Sequence, residues 1–496
     1  MTDRVESKSL GSLGLTAKGG KDPQIIGLAV DSREVRDGFL FAALPGSRVH
    51  GAEFIQYALR MGAAAILTDR DGARIAADVL ATSEAALVVA EDPRQTLAYT
   101  ASLWFEMQPE VVCAVTGTNG KTSVATFTRQ IWTLLGIQSV NIGTTGVEGA
   151  YDAPLGHTTP EPITLHRTLA AIANADVDYA AMEASSHGLA QRRLDGVRLT
   201  AAAFTNFSQD HLDYHASFDE YFAAKRGLFD RVLPEDGVAV VNIDDAKGPA
   251  MAETAVDRGQ DLITIGRSAG AHLRIEAQRY DATGQELRFS WAGGTHQTRL
   301  NLIGGFQAEN VLVAAALAIG SGCDPSQVFR VLPELVGVRG RMQLAARREN
   351  GAAVFVDYAH TPDAIRTALR ALRPHVLGRL IVVFGAGGDR DTTKRPLMGA
   401  AAQDHADVVI VTDDNPRSEE AAIIRQMVMA GCPDASEVGD RAEAILRGVD
   451  ALQPGDALLI AGKGHETGQI VGDDVFPFDD VEQASVAVAA LDGRLV

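Results

Sequence analysis

Cysteine is scarce in this 496-residue chain. The three cysteines, Cys113, Cys323 and Cys432, are widely spaced and odd in number, which excludes a disulfide framework and leaves no paired knuckle for a structural metal. Long apolar runs are missing as well. The longest, residues 311–319, falls far short of the ~20 apolar residues that cross a bilayer, so no membrane partner is expected. The first residues, 1–22, are polar and glycine-rich and lack the apolar centre of a secretory signal. These absences predict a cytoplasmic protein. Positive charge is also short: 45 Lys and Arg stand against 64 Asp and Glu, a net charge of −19. Nucleic-acid affinity rests on neutralising phosphates with basic side chains, so no nucleic-acid partner is expected.

What is present is the composition of an ordinary folded protein, 46% hydrophobic and 22% charged. A chain of this length exceeds a single core and should divide into about three α/β domains, over residues 1–93, 94–340 and 341–496. The most informative stretch is residues 111–123, Val-Val-Cys-Ala-Val-Thr-Gly-Thr-Asn-Gly-Lys-Thr-Ser. An apolar, β-prone run breaks into a glycine-rich turn, and Val124, Phe127, Ile131 and Leu134 follow at helical spacing. Such a strand-loop-helix turn presents backbone N–H groups to a phosphate chain at the positive end of a helix. Gly117 and Gly120 allow close approach, Lys121 would reach the β- and γ-phosphates, and the Thr122 hydroxyl would sit on Mg²⁺. The spacing departs from the usual P-loop, because Val115 stands where its first glycine belongs. The segment Gly117, Thr118, Asn119, Gly120, Lys121, Thr122, Ser123 is nonetheless read as a nucleotide phosphate site.

The first domain reads as a small α/β module with strands near residues 25–30, 38–42, 63–67 and 86–89. Beyond the phosphate loop, apolar runs repeatedly end in polar residues: 179–182 at Glu183, 199–204 at Thr205-Asn206, and 238–241 at Asn242. Ligands of doubly wound sheets bind outside the carboxyl ends of parallel strands, so these ends should gather around the loop. Glu183 suits Mg²⁺, which takes few protein carboxylates beside phosphate oxygens. His211 and His215 have i, i+4 spacing, but no third ligand for zinc is evident, and a histidine supporting the Mg²⁺–phosphate site is preferred. On pattern alone Lys225 reads as a solvated helix lysine. In the third domain, strands at 354–356, 380–384, 408–411 and 458–461 alternate with helices, which means a parallel sheet. The loop 385–390 mimics a dinucleotide fingerprint, but Arg390 occupies the third glycine position, so NAD binding there is not expected.

Together these motifs resemble one family. The segment 116–122, Met182-Glu183-Ala184-Ser185-Ser186-His187-Gly188-Leu189, Asn206 with Asp210-His211-Leu212-Asp213, Asp357-Tyr358-Ala359-His360-Thr361-Pro362 and Asp414-Asn415-Pro416-Arg417 are similar to motifs of the Mur ligases of peptidoglycan synthesis. The likeness covers the whole chain in matching order. It implies a uridine-nucleotide domain, a central ATPase with a parallel sheet, and a Rossmann-like domain for the incoming amino acid. It also implies that Val30, Ser32, Ser47, Arg48 and Val49 hold the uridine diphosphate end. Thr158, Thr159, Ser185, Gln191 and Arg193 hold the muramoyl dipeptide beside His157, which stands where the family often carries asparagine. Thr122, Glu183 and His211 match Mg²⁺ positions, and Asn310, Arg341 and Asp357 match positions near the ATP base, phosphates and ribose. Lys225 matches a lysine carried as a CO₂-derived carbamate, in conflict with its pattern reading; as an anion it would become a metal ligand, with Lys121, Lys225 and His211 forming the catalytic set.

The resemblance is nearest to the branch that adds meso-2,6-diaminopimelate to the D-glutamyl γ-carboxylate of UDP-N-acetylmuramoyl-L-alanyl-D-glutamate through an acyl phosphate, in cell wall biogenesis. A branch adding L-lysine is the alternative. The substrates would be these two and ATP, with Mg²⁺ as two ions, and a monomer is expected. For diaminopimelate, Arg417 behind Pro416 offers a planar fork to the distal carboxylate. Asp414 and Glu466, near Asn415 and Gly462, would take the distal ammonium, and Arg390 the carboxylate at the reacting end. The bland alternative pairs Arg417 with Asp413 or Glu419. A folate-polyglutamate ligase, a P-loop kinase and a non-catalytic nucleotide-binding regulator fit less well: each leaves the first domain, the Asp-Asn-Pro-Arg loop or the Glu183–His211–Lys225 set without a purpose.

Overall fold

A computed structural model describes residues 7–46, 49–208, 214–215 and 217–493. It is α/β throughout, built on three principal sheets with separate apolar cores. In the first sheet the strands Gly27–Ala29, Phe39–Ala42, Ala65–Thr68 and Ala86–Val89 run parallel in chain order. The single strand expected near 25–30 is divided. Gln24–Ile25 pairs antiparallel with Lys8–Ser9, whereas Gly27–Ala29 joins the parallel sheet. Gly27 makes the join possible, since a Cβ there would lie 2.4 Å from the Phe39 ring.

The central sheet has ten strands. Its parallel heart runs Ser139–Gly143, Tyr179–Glu183, Val111–Thr116, Ala201–Phe204, Val238–Asn242 and Asp261–Gly266. Along Val111–Thr116, Val112 and Ala114 enter one core while Cys113 and Val115 enter the other. That is the two-sided burial that makes parallel strands read as continuous apolar runs. The sheet is not parallel to its edges, however. Leu273–Asp281, Gly284–Trp291 and Gly294–Leu300 form antiparallel hairpins, and Gly146–Gly149 folds back on Ser139–Gly143. One face of Leu273–Asp281 is wet, so its buried and exposed residues mostly alternate, and such a strand needs only half its residues to be apolar.

The third sheet places Ala353–Asp357, Ala457–Ala461, Leu380–Phe384 and Val408–Val411 side by side in parallel, with Gln343–Arg347 antiparallel at one edge. The helix Pro362–Leu372 starts on Thr361, whose hydroxyl accepts from Ala364 N at 3.2 Å. In both larger sheets the carboxyl ends of the buried strands open into polar loops, and these two sets of loops face one another.

Candidate functional site

The strand Val111–Thr116 delivers its loop to the helix Lys121–Leu134. Gly117 has φ +150°, and a Cβ there would lie 1.9 Å from Thr205 Oγ1; at Gly120, φ +88°, it would lie 2.5 Å from Asn310 Oδ1. Both glycines are therefore required by close neighbours as well as by conformation. The neighbouring strand end holds the loop open. Thr118 N donates to Asn206 O and Asn119 N to Asn206 Oδ1, each at 2.9 Å, while Thr205 Oγ1 donates to Asn119 O at 2.6 Å. Lys121 Nζ folds onto its own loop, donating to Gly117 O and Thr118 O at 2.9 Å. Ser123 is buried in the first helical turn, and Asn310 is buried on the helix Phe306–Gly320.

Glu183 ends its strand directly beside this turn. Its Oε1 accepts from Thr122 Oγ1 at 3.1 Å and from Thr144 N at 2.8 Å, and Gly143 has no side chain to block it. Arg341 Nη2 reaches the same threonine hydroxyl at 3.2 Å, with its guanidinium 4.7 Å from the Tyr358 ring centroid. Its Nε is buried and makes no hydrogen bond among the described residues. Asp357 accepts from Met342 N at 2.7 Å and Ala359 N at 2.9 Å. Desolvation pushes its carboxyl above the usual range, against the pull of Arg341.

Lys225 is the clearest correction to the pattern reading. It is 1% exposed, not solvated; its Nζ donates to Gly117 O at 2.7 Å and lies 4.5 Å from the Tyr221 ring centroid. Tyr221 and Phe222 pack against Phe207 and carry the helix Phe218–Gly227 under the phosphate loop. His211 lies outside the described residues. One carboxylate and one hydroxyl beside a phosphate loop is a donor set that fits Mg²⁺, a hard cation that keeps water and phosphate oxygens as its other ligands.

A cavity of about 440 Å³ joins these groups. Lys121, Thr122, Glu183 and Lys225 line one wall, Arg341 and Asp357 another, and His157, Thr158, Thr159, Ser185 and Arg193 a third. Thr159 Oγ1 donates to Glu183 O at 2.9 Å and accepts from Ser185 N at 3.1 Å, which ties Thr159 and Ser185 to the strand that ends in Glu183. Gln191 stands behind, accepting from Arg193 Nη2 at 2.8 Å and donating to the Tyr214 hydroxyl at 3.0 Å. Val30 and Ser32 lie elsewhere, at the carboxyl end of Gly27–Ala29, and Val49 is exposed. Ser47 and Arg48 are outside the described residues.

A larger cavity of about 1040 Å³ is lined by Arg390, Asp414, Asn415, Arg417, Gly462 and Glu466. Pro416 packs its carbonyl over Gly388, where a Cβ would lie 1.9 Å away. Arg417 takes φ +53°, and its Nη1 donates to Gly388 O at 2.9 Å. The acids of the alternative surface pairing are taken by others: Asp413 binds Arg425, and Glu419 binds Arg395 at 2.7 Å. Arg417 therefore keeps a guanidinium edge for the cavity. The two cavities meet, sharing His187, Tyr358, His360 and Thr361 as common walls.

Three family descriptions match successive parts of the chain. They are the Mur ligase family catalytic domain over residues 24–104, the Mur ligase middle domain over 115–318, and the Mur ligase glutamate ligase domain over 340–464. A relative from Bradyrhizobium diazoefficiens, a UDP-N-acetylmuramoyl-L-alanyl-D-glutamate–2,6-diaminopimelate ligase, is 48% identical over 473 residues, 94% of this chain and 95% of its own. The chain belongs to the Mur ligase family. A solved structure of a ligase of that same name is 33% identical, with TM-score 0.71 over 98% of this chain and 99% of its own. Folylpolyglutamate synthase from Mycobacterium tuberculosis shares the fold at 19% identity, TM-score 0.61, over 81% and 95% of the two chains.

Several residues of this Mur ligase site escape sequence reasoning. Thr144 acts through its backbone N–H, which no side-chain pattern reports. Tyr358 and His360 sit inside a motif read for Asp357, and their place between the cavities depends on how two sheets face one another. Lys463 is wholly buried, donating to Asn415 Oδ1 at 2.8 Å and to Glu466 Oε2 at 3.4 Å. Its one signal was its place in Gly462-Lys463-Gly464-His465-Glu466, where a lysine reads by default as solvated.

Proposed function

We propose that this chain joins the amine of meso-2,6-diaminopimelate to the D-glutamyl γ-carboxylate of UDP-N-acetylmuramoyl-L-alanyl-D-glutamate, driven by ATP. The observation that carries the reading is the meeting of the two cavities. One has a phosphate loop and a carboxylate; the other combines basic and acidic groups suited to a zwitterionic amino acid. Their shared walls let an activated acyl group and an amine approach each other. In this reading, residues 1–93 hold the uridine end, 94–340 activate the carboxylate, and 341–496 supply the amino acid.

A carboxylate is a poor acylating agent, so its oxygen must first acquire a good leaving group. The γ-carboxylate oxygen attacks the ATP γ-phosphorus, ADP departs, and an acyl phosphate forms. The amine then attacks the acyl carbon, and inorganic phosphate leaves with one former carboxylate oxygen. Lys121, Arg341 and the loop N–H groups neutralise charge on the transferring phosphoryl group. Asn310 and Asp357 hold the adenosine, and Thr158, Thr159, Ser185 and Arg193 orient the dipeptide. Mg²⁺, which the family uses, would be held by Thr122 and Glu183 together with His211 and Lys225 as its carbamate, and it supplies Lewis-acid stabilisation of phosphoryl oxygens. In the amino-acid cavity Arg417 binds the distal carboxylate, Asp414 and Glu466 the distal ammonium, and Arg390 the carboxylate beside the reacting amine.

The test is phosphate release measured with each substrate omitted in turn and across amino acids. Release should require ATP, the UDP-muramoyl dipeptide and diaminopimelate together. Release with ATP alone, or equal release with L-lysine, would contradict the reading.

A further inference from the structure

Among the buried charges of the molecule, one ammonium stands directly behind the amino-acid cavity without lining it. Lys463 has a fully buried side chain. It stands on the loop after Ala457–Ala461, which also carries Glu466, and reaches across to Asn415 on the loop after Val408–Val411. Two donors converge on Asn415 Oδ1, namely Lys463 Nζ at 2.8 Å and Ile470 N at 3.0 Å. An amide oxygen that accepts both cannot be exchanged with its NH₂. Asn415 Nδ2 is thereby turned toward Glu466, donating to Oε2 at 2.9 Å, and Lys463 Nζ reaches the same oxygen at 3.4 Å. Both contacts fall on Oε2. Oε1 makes no hydrogen bond among the described residues and is left to the cavity that Glu466 lines. On the facing loop, Asp414 Oδ1 accepts from Asn415 N at 2.7 Å, while Oδ2 lies 2.5 Å from where a Gly462 Cβ would sit.

We infer that Lys463 is a positioning residue for amino-acid selectivity: through Asn415 and Glu466 it fixes the carboxylate oxygen that receives the substrate's distal ammonium. The inference rests on the proposed diaminopimelate reading and deepens it. An ammonium held by a carboxylate oxygen in a set position is recognised only when that oxygen cannot swing away. Without Lys463, Asn415 loses one of its two orienting donors, Glu466 loses its cation, and the acidic pair is free to repack.

The probe is 2-aminopimelate, which is diaminopimelate without its distal amine. Wild-type enzyme should favour meso-diaminopimelate over 2-aminopimelate by at least a hundredfold in kcat/KM, because a site built to bond a polar group rejects the analogue that lacks it. In Lys463→Met that ratio should fall at least tenfold, mainly through KM for diaminopimelate, with KM for ATP unchanged within twofold. A merely structural lysine would lower both substrates by the same factor; a preserved ratio in Lys463→Met would overturn the inference. If Lys463→Met does not fold, Asn415→Ala interrupts the same chain of contacts and should collapse the ratio equally, and an unchanged ratio there overturns it as well. Failure of the underlying reading is separately visible, as absence of diaminopimelate-dependent phosphate release in the wild type.

Discussion

Replacing Arg417 with alanine should change which amino acid the enzyme selects more than how well it folds. Its backbone, not its side chain, anchors the hairpin Gly468–Val471 with Asp474–Pro477: Arg417 N donates to Ile470 O at 3.1 Å and Gly472 N donates to Arg417 O at 2.7 Å. Alanine keeps both bonds and carries the same φ of +53°, so the melting temperature should move little. The side chain spends Nη1 on Gly388 O, leaving Nε and Nη2 for the two oxygens of a distal carboxylate. Two hydrogen bonds to a charged group at about 1.5–3 kcal/mol each make the loss about 3–6 kcal/mol. That is roughly two to four powers of ten in kcat/KM for meso-diaminopimelate. L-Lysine has no distal carboxylate and should lose nothing. The assay is kcat/KM for both amino acids by phosphate release, in wild type and Arg417→Ala, with a thermal melt as control. A folded variant with an unchanged diaminopimelate-to-lysine ratio would refute the reasoning.

Lys121→Ala should lose about 2–4 kcal/mol of transition-state stabilisation, read as kcat/KM, while the loop survives on Thr205 and Asn206; near-normal turnover would remove the site assignment. Lys225→Ala should abolish ligation and recover part of it with added formate or acetate, whereas Lys225→Arg should fail as badly, because guanidinium forms no carbamate; full activity in Lys225→Arg would leave the lysine a plain cation. Burial holds His166 neutral and pushes its pKa down to about 4, so the unfolded chain binds the extra proton between about pH 6.5 and 4, and stability falls with pH through that window. Urea unfolding at pH 7 and pH 5 should show His166→Gln spared about 2 kcal/mol of the wild-type acid loss; an equal loss in both would refute the assignment.

The phosphate loop was legible because its chemistry is local: a β-prone run, two glycines, Lys121-Thr122 and a helical period occupy consecutive residues. Glu183 was legible for a related reason, as a charge closing an apolar run at a strand end. Lys225 was not, because its burial comes from Tyr221 and Phe222 docking on Phe207, a contact no spacing within Phe218–Gly227 encodes. Lys463 likewise depends on two loops 48 residues apart meeting over one amide. The hairpins over 273–300 were passed over because strands with one wet face carry as many polar as apolar residues. The alternative pairing of Arg417 with Asp413 or Glu419 rested only on nearness in sequence, and it is not made because those carboxylates are turned to Arg425 and Arg395.

The central claim is that carboxylate oxygen is transferred to phosphate on the way to an amide. It is tested by supplying the UDP-muramoyl dipeptide with ¹⁸O in its D-glutamyl γ-carboxylate and analysing the phosphate released with ATP and meso-diaminopimelate. An acyl phosphate intermediate places one labelled oxygen in each phosphate formed. Unlabelled phosphate released in step with the amide product would contradict the account.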